Sequence, residues 1–393
     1  MPDLSKFIAQ HKEDDLSKLA FRFAKDKMIN HSFVLRQISG YQKIRIKIPA
    51  WYAIDNLRFP QKLSLEQCSS EVTARYKKEI VEGESLLDLT GGFGVDCAFL
   101  SDQFSRVDYV EVQPELCELA KHNFEQLNLK NIQVYNEDGS QFLQKCDVYD
   151  CIFLDPARRN NKGEKVVFLS DCQPNVLEIL DLLLLKSKEV LIKLSPMIDL
   201  SVLEKSFSNK LSEIQVIAVD NECKEILAKI SQKDCLEPQI KTVNIEEKKN
   251  LRQVLTFSRK EKEHGETAYA SEIEKYFYEP NVSILKAGAF QLVSEKFGLK
   301  KIHLHTHLYT SNKLVANFPG RIFEVEKSFS FSKKELKDNL KEVKKANIST
   351  RNFPETPESL HKKLKIKTGG DVYLFACTAL EKKLLIKTKK ITL

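Results

Sequence analysis

Glu84 to Ser101 reads ESLLDLTGGFGVDCAFLS. An apolar run reaches Asp88, glycines follow at positions 91, 92 and 94, and a helical apolar pattern opens behind them. A strand that enters a glycine-rich turn and then a helix brings backbone N–H groups and a helix N-terminus to one point. In open α/β sheets this point lies outside the carboxyl ends of the strands, where nucleotide-like ligands bind.

The flanking sequence supplies such a sheet. SLLDLT, RVDYVEV, IQVYNED, YDCIFLDP and EVLIKLSP read as strands, separated by the helical patterns GVDCAFLSDQF, QPELCELAKHNFEQL, GSQFLQK and QPNVLEILDLLLLKS. EIQVIAVDNECKEILAKI and VLTFSR supply the last strands. Repeated βα units with uninterrupted apolar strands predict an α/β fold with a parallel sheet covered on both faces. Residues 1–75 read as a helical N-terminal cap and 76–262 as the core. SSEVTARYKKEIV, with capping serines and an early Glu71, is either an ordinary capped helix or one that closes over the ligand. A small α/β segment occupies 263–320. The remainder, 321–393, holds the strand-like GRIFEVEKSFSF, a lysine-rich helix over 333–345 and a terminal hairpin or small sheet. KTGGD, Lys367 to Asp371, reads as a hairpin turn.

Three ligands compete for the glycine turn. A phosphate loop needs Lys and Ser or Thr after its last glycine, but Val95 and Asp96 follow Gly94. A dinucleotide turn needs a third glycine where Cys97 stands. Asp88 and Asp96 suit a zwitterion with a cationic amine better than a pyrophosphate. S-adenosylmethionine meets these demands. Asp88, Thr90, Gly92 and Gly94 close the first strand. Glu111 ends the second, placed to accept from ribose hydroxyls. Asp138 and Gly139 follow the third, where a carboxylate can receive an adenine amino group. Each carboxylate alone can equally be a helix cap; four strand ends in order carry the reading.

Asp155, Pro156, Ala157 and Arg158 end the fourth strand. An exocyclic amine is a poor nucleophile until an acceptor draws its hydrogens and localises its lone pair, and an Asp-Pro turn supplies one. Arg158 stands where amino-methylating turns carry an aromatic residue. It can stack on a base or hold a phosphate, so a ring nitrogen or a 2′-hydroxyl stays open as target. Carbon-5 methylation needs a cysteine nucleophile, which neither this turn nor KLSPM supplies; Ser195 stands there, and Cys151 reads as core. Lys193 is a site residue or a strand-end surface charge.

Charge is unevenly spread. Of the net +7, the stretch from Arg321 onward holds 18 lysines and arginines against 9 acidic residues. A basic module on a near-neutral body predicts a polyanion partner, and Arg351, Lys363, Lys365 and Lys367 could line a phosphate path. The nine cysteines include no CxxC pair, which predicts a reducing cytoplasm rather than disulfides or structural zinc. The charged N-terminus predicts no signal peptide, and no apolar run is long enough for a membrane span. HLHTH puts His303, His305 and His307 on one face of an expected strand, as a zinc site or a solvated face.

KLSLEQCSSEVTARYK, DLTGGFGVD, LDPARR, IKLSPM, YEPNVSILKAGAF and LKIKTGGDVYLFA together resemble a bacterial family of class I S-adenosylmethionine-dependent methyltransferases with a C-terminal THUMP-like domain. The resemblance covers most of the chain from about residue 60. It implies a Rossmann-like core, a small ferredoxin-like segment near 277 to 320 and a THUMP-like fold from about 321. THUMP domains in general bind RNA, often tRNA, so the expected activity is methylation of tRNA or rRNA. A protein or small-molecule methyltransferase, or a non-catalytic SAM- or RNA-binding module, is the alternative.

Overall fold

A computed structural model describes residues 4–23, 31–157 and 169–392. Its strands are β1 (Ser85–Asp88), β2 (Arg106–Glu111), β3 (Ile132–Asn136), β4 (Tyr149–Leu154), β5 (Ser187–Leu194), β6 (Leu211–Val219), β7 (Glu222–Ser231), β8 (Gln239–Glu246), β9 (Leu251–Ser258), β10 (Tyr276–Pro280), β11 (Lys300–His303), β12 (Thr306–Ser311), β13 (Gly320–Ser330), β14 (Lys345–Arg351), β15 (Lys367–Ala379) and β16 (Lys382–Ile391). Two compact units divide the chain, the first formed by Met1–Ile214 with Lys224–Leu236 and the second by Gln215–Cys223 with Glu237–Leu393.

In the first unit the sheet order runs β3-β2-β1-β4-β5-β7. The β1–β2, β2–β3, β1–β4 and β4–β5 pairs are parallel. Leu86, Leu87, Val107, Val110, Ile152, Val190 and Ile192 are fully buried, as a sheet covered on both faces requires. The order reverses between β1 and β4, so the crevice at the carboxyl ends of β1 and β4 is the topological switch point. The expected all-parallel sheet is corrected at β7, which lies antiparallel to β5. QPNVLEILDLLLLKS is helical only over Leu180–Lys186. Upstream, the Asn175 side chain accepts from the Leu177 N–H at 3.1 Å, a local turn that competes with helix.

The described part of the N-terminal cap is helical, with the long helix His31–Lys47 and the short helices Leu4–His11 and Lys62–Gln67 among its elements. Its anchor is aromatic. Phe93, inside the glycine turn, meets the Trp51 ring at 5.5 Å and the Phe59 ring at 6.1 Å. Asn123 ties the cap to the helix Pro114–Gln126, accepting from Arg58 N and donating to Arg58 O.

In the second unit β8 and β9 form an antiparallel pair. A seven-stranded sheet runs β11-β12-β10-β13-β16-β15-β14. Helices Lys333–Leu340 and Pro357–Leu364 contribute Leu340 and Leu360 to a core with Phe329, Ile348, Leu374 and Leu385. KTGGD is no hairpin turn. It lies within β15, where the pairing with parallel β14 slips between Ala346 and Asn347 and Gly369 and Gly370 take φ of +102° and +83°. The hairpin turn falls instead at Leu380 and Glu381, both at positive φ. HLHTH is likewise not one strand, because β11 ends at His303 and β12 starts at Thr306. His303 Nδ1 accepts the His305 N–H at 3.0 Å across that turn, and His307 stacks on Phe290.

Candidate active site

The glycine turn is built by close approach. Gly92 and Gly94 take φ of +57° and +82°, and Gly94 caps the helix Val95–Leu100. A Cβ on Gly91 would lie 2.0 Å from the Tyr109 ring, while one on Gly92 would meet only Thr90 O at 3.8 Å. Gly91 is therefore the packing glycine, missed in sequence because it stands outside the G-x-G spacing. Among the described residues, Gly92 has room for a Cβ. Tyr109 Oη donates to Gly92 O at 2.6 Å and fixes the turn from beneath.

Four strand ends converge on this turn. Asp88, at the end of β1, is 1% exposed and accepts from Thr90 N at 3.2 Å. Burial above all pushes its carboxyl well above the usual range, and Asp96, Asp155 and Glu111 add to the rise. Glu111, at the end of β2, accepts from Gly92 N and from Gln113 N, each at 2.9 Å, and so braces the turn. Asp138 caps the helix Gly139–Lys145 by accepting from Gln141 N at 3.1 Å. A side chain at Gly139 would strike Leu89 O at 2.7 Å, so only glycine lets this helix approach β1. Thr90 Oγ1 accepts from Asp155 N at 2.6 Å, locking the end of β4 to the glycine turn.

Asp155 is one-third exposed, and its Oδ2 lies 2.5 Å from Lys193 Nζ at the end of β5. Lys193 is thus no surface charge: its side chain is 9% exposed. Burial opposes its charge, but Asp155, Asp96 and Glu225 outweigh burial and lift its pKa above 10.5. Asp96, read with Asp88 as suiting a cationic amine, is engaged by side chains of the protein itself. It accepts from Ser69 Oγ at 2.7 Å and pairs with Lys77 at 3.3 Å and Lys193 at 3.6 Å. Lys77, fully buried, reaches Glu225 of β7 at 2.5 Å. A lysine on the buried face of Glu71–Glu79, beside Thr73, Ala74 and Tyr76, was a signal that Lys77 is buried, though not of its partner. Pro156 follows Asp155 and is buried; Arg158 lies outside the described residues.

The four basic residues expected to form one phosphate path are divided. Arg351 and Lys367 sit at opposite ends of the β14–β15 pair, where Lys345 faces Lys367 and Arg351 faces Cys377, a separation of roughly 20 Å along the strands. Arg351 donates to Glu279 Oε1 at 2.6 Å. Lys363 pairs with Glu355 at 2.7 Å, and Lys365 takes φ +56° at the C-cap of its helix.

Comparisons with known proteins agree with this architecture. Residues 276–319 match a family described as a ferredoxin-like domain and 320–390 one described as THUMP domain-like. Residues 55–161 match the protein-L-isoaspartate(D-aspartate) O-methyltransferase family. A crystal structure of a candidate methyltransferase from Porphyromonas gingivalis W83 is 32% identical, with 99% of this chain and 98% of that chain covered and a TM-score of 0.87. The chain belongs to that family, the class I S-adenosylmethionine-dependent methyltransferases with a C-terminal THUMP-like domain. A tRNA (guanine(26)-N(2))-dimethyltransferase from Methanosphaera stadtmanae is 26% identical over 133 residues, 33% of each chain. A protein-L-isoaspartate O-methyltransferase from Methanococcoides burtonii is 34% identical over 77 residues, 19% of this chain and 38% of that one. The chain thus spans little more than a third of the length of the curated relatives it matches. Among the described residues no helix is long and apolar enough to cross a membrane.

Proposed function

We propose that the protein methylates an amino nitrogen of a nucleotide in RNA, tRNA or rRNA, using S-adenosylmethionine. The observation that carries the reading is the lock between Thr90 and Asp155, which fixes the backbone of the β4 end, and with it Asp155, to the glycine turn. Asp88, Thr90, Gly92, Gly94, Glu111, Asp138 and Gly139 would hold the cofactor. The room at Gly92 and a surround rich in carboxylates suit a ligand carrying an amine and a sulfonium. Bound there, the cofactor supplies an electrophilic methyl group. Asp155 accepts a hydrogen of the target amine and localises its lone pair, while Pro156 fixes the turn that presents it. Alignment of the nucleophile is most of what such a displacement asks of a protein.

RNA as the substrate is supported by the basic THUMP-like module and by the name of the tRNA-modifying relative. None of the nine cysteines is joined in a disulfide, which fits work in the cytoplasm. The test incubates the full chain with methyl-labelled cofactor and unmodified cellular RNA beside total protein, with Asp155→Ala as control. Label in one RNA class, lost in the variant, is the expected result. Label confined to the protein fraction would sink the RNA reading, and undiminished transfer by Asp155→Ala would sink the role of Asp155.

A further inference from the structure

We propose that Lys193 is the positioning residue for Asp155, turning its carboxylate into a one-sided acceptor with Oδ1 toward the target. The inference rests on the reading of Asp155 as the group that receives the target amine. Lys193 stands behind Asp155: the lysine is 9% exposed, the aspartate 33%, and Nζ meets Oδ2 at 2.5 Å. With Oδ2 engaged, Oδ1 is the oxygen without a partner among the described residues, and so the one left for a hydrogen of the target.

The lysine is itself held from a second side. Asp96 Oδ2 lies 3.6 Å from Nζ, and Asp96 is fixed by Ser69 Oγ at 2.7 Å and by Lys77 at 3.3 Å. Lys77 is anchored in turn on Glu225 at 2.5 Å. The series of alternating charges thus ties Asp155 to β5, to the helix behind the glycine turn, to the helix Glu71–Glu79 and to β7. A carboxylate on a turn one-third open to water would otherwise sample several rotamers, and small misplacement of an aligning group is expensive in rate. Lys193 is not the base in this arrangement. The carboxylates of Asp155, Asp96 and Glu225 surround its ammonium and hold it protonated. Its task is met by any cation of similar reach, and this separates positioning from proton transfer.

The test is a double-mutant cycle on the full chain, with Lys193→Met, Lys193→Arg, Asp155→Asn and the Met/Asn pair. Transfer of labelled methyl to unmodified cellular RNA is followed beside calorimetric binding of S-adenosylhomocysteine. Lys193→Met should lower kcat by about 100-fold, with affinity for S-adenosylhomocysteine within about threefold of the parent. Lys193→Arg should keep kcat within about tenfold. The pair should be no more than about threefold slower than Asp155→Asn alone, because a residue that acts through another adds nothing once that one is gone. Losses that multiply, an arginine variant as inactive as the methionine one, or a tenfold or greater loss of S-adenosylhomocysteine affinity (about 1.4 kcal/mol) would each overturn the proposal. If the parent labels protein instead of RNA, the substrate reading falls, and the same cycle on that fraction still decides the role of Lys193. A parent that labels neither fraction overturns both.

Discussion

Asp88 combines two properties that pull against each other. It is 1% exposed, and burial pushes its carboxyl well above its ordinary value of 3.8. Pairing with a cationic amine requires it ionised, so cofactor uptake should release a proton. Affinity for S-adenosylhomocysteine is therefore expected to weaken as pH falls below the raised value, by up to about tenfold per pH unit. Calorimetry in buffers of different ionisation enthalpy would detect that proton; a pH-independent affinity without proton release would remove Asp88 from the amine's site. Stability runs the other way. The folded chain keeps this proton at pH values where the unfolded chain has lost it, so Asp88 subtracts stability as pH rises from about 4 toward the raised value. Asp88→Asn should melt higher than the parent at pH 7.5 while binding S-adenosylhomocysteine at least about tenfold more weakly. The glycines give a second contrast at this scale. Gly91→Ala must displace the Tyr109 ring from 2.0 Å and should cost about 2 kcal/mol or more. Gly92→Ala bears only its left-handed backbone, about 1 kcal/mol. Denaturant unfolding of the two variants checks the order, and equal losses would mean that Gly91 is not the packing glycine.

Among the elements, the helix Glu71–Glu79 depends on one buried contact more than on its own sequence. Ser70 caps it by accepting from Thr73 N, worth about 1 kcal/mol. Lys77 sits fully buried against Glu225 and Asp96. Removing one partner of a buried pair strands the other, so Lys77→Met should destabilise the chain by about 3 kcal/mol or more, and adding Glu225→Gln should recover part of that loss. Thermal unfolding of the single and double variants measures it; a double variant less stable than Lys77→Met would show that Glu225 has another partner to satisfy. This pair also marks what sequence could and could not disclose. The strand ends were legible because their chemistry is local: an apolar run, then an acidic residue or glycine where the backbone turns. The Lys77–Glu225 contact joins residues 148 apart, and no local pattern encodes such a meeting. The reversal of β7 was hidden for the same reason, since an apolar strand reads alike in either direction. KTGGD shows a subtler limit. A hairpin turn and a slipped pairing both call for glycine at positive φ, and only the parallel neighbour β14 decides between them.

At the level of the whole molecule, charge separates what the topology joins. The stretch from Arg321 carries the basic excess, yet β13 within it pairs with β10 from Tyr276↔Glu324 to Pro280↔Gly320. Cutting the chain at 320 would strip β10 of this neighbour and test folding rather than binding. Substitution is the better instrument. Lys333, Lys337 and Lys341 recur at helical spacing on Lys333–Leu340 and its C-cap, are exposed, and have no ion-pair partner among the described residues. Lys363 is instead paired with Glu355. Each phosphate neutralised by a lysine releases condensed counterions, so log affinity falls with log salt in proportion to the contacts made. Replacing the three free lysines by glutamine should weaken RNA binding and flatten that slope by roughly 2, whereas Lys363→Gln should flatten it by about 0.5 or less. S-adenosylhomocysteine affinity and melting temperature should not move, because exposed lysines away from buried pairs contribute little to stability. Filter binding of unmodified RNA across a salt series reads the slope directly. An unchanged slope in the triple variant would mean that this helix makes no phosphate contact, and the polyanion path would then have to run over the lysines of β16 or the β14–β15 end.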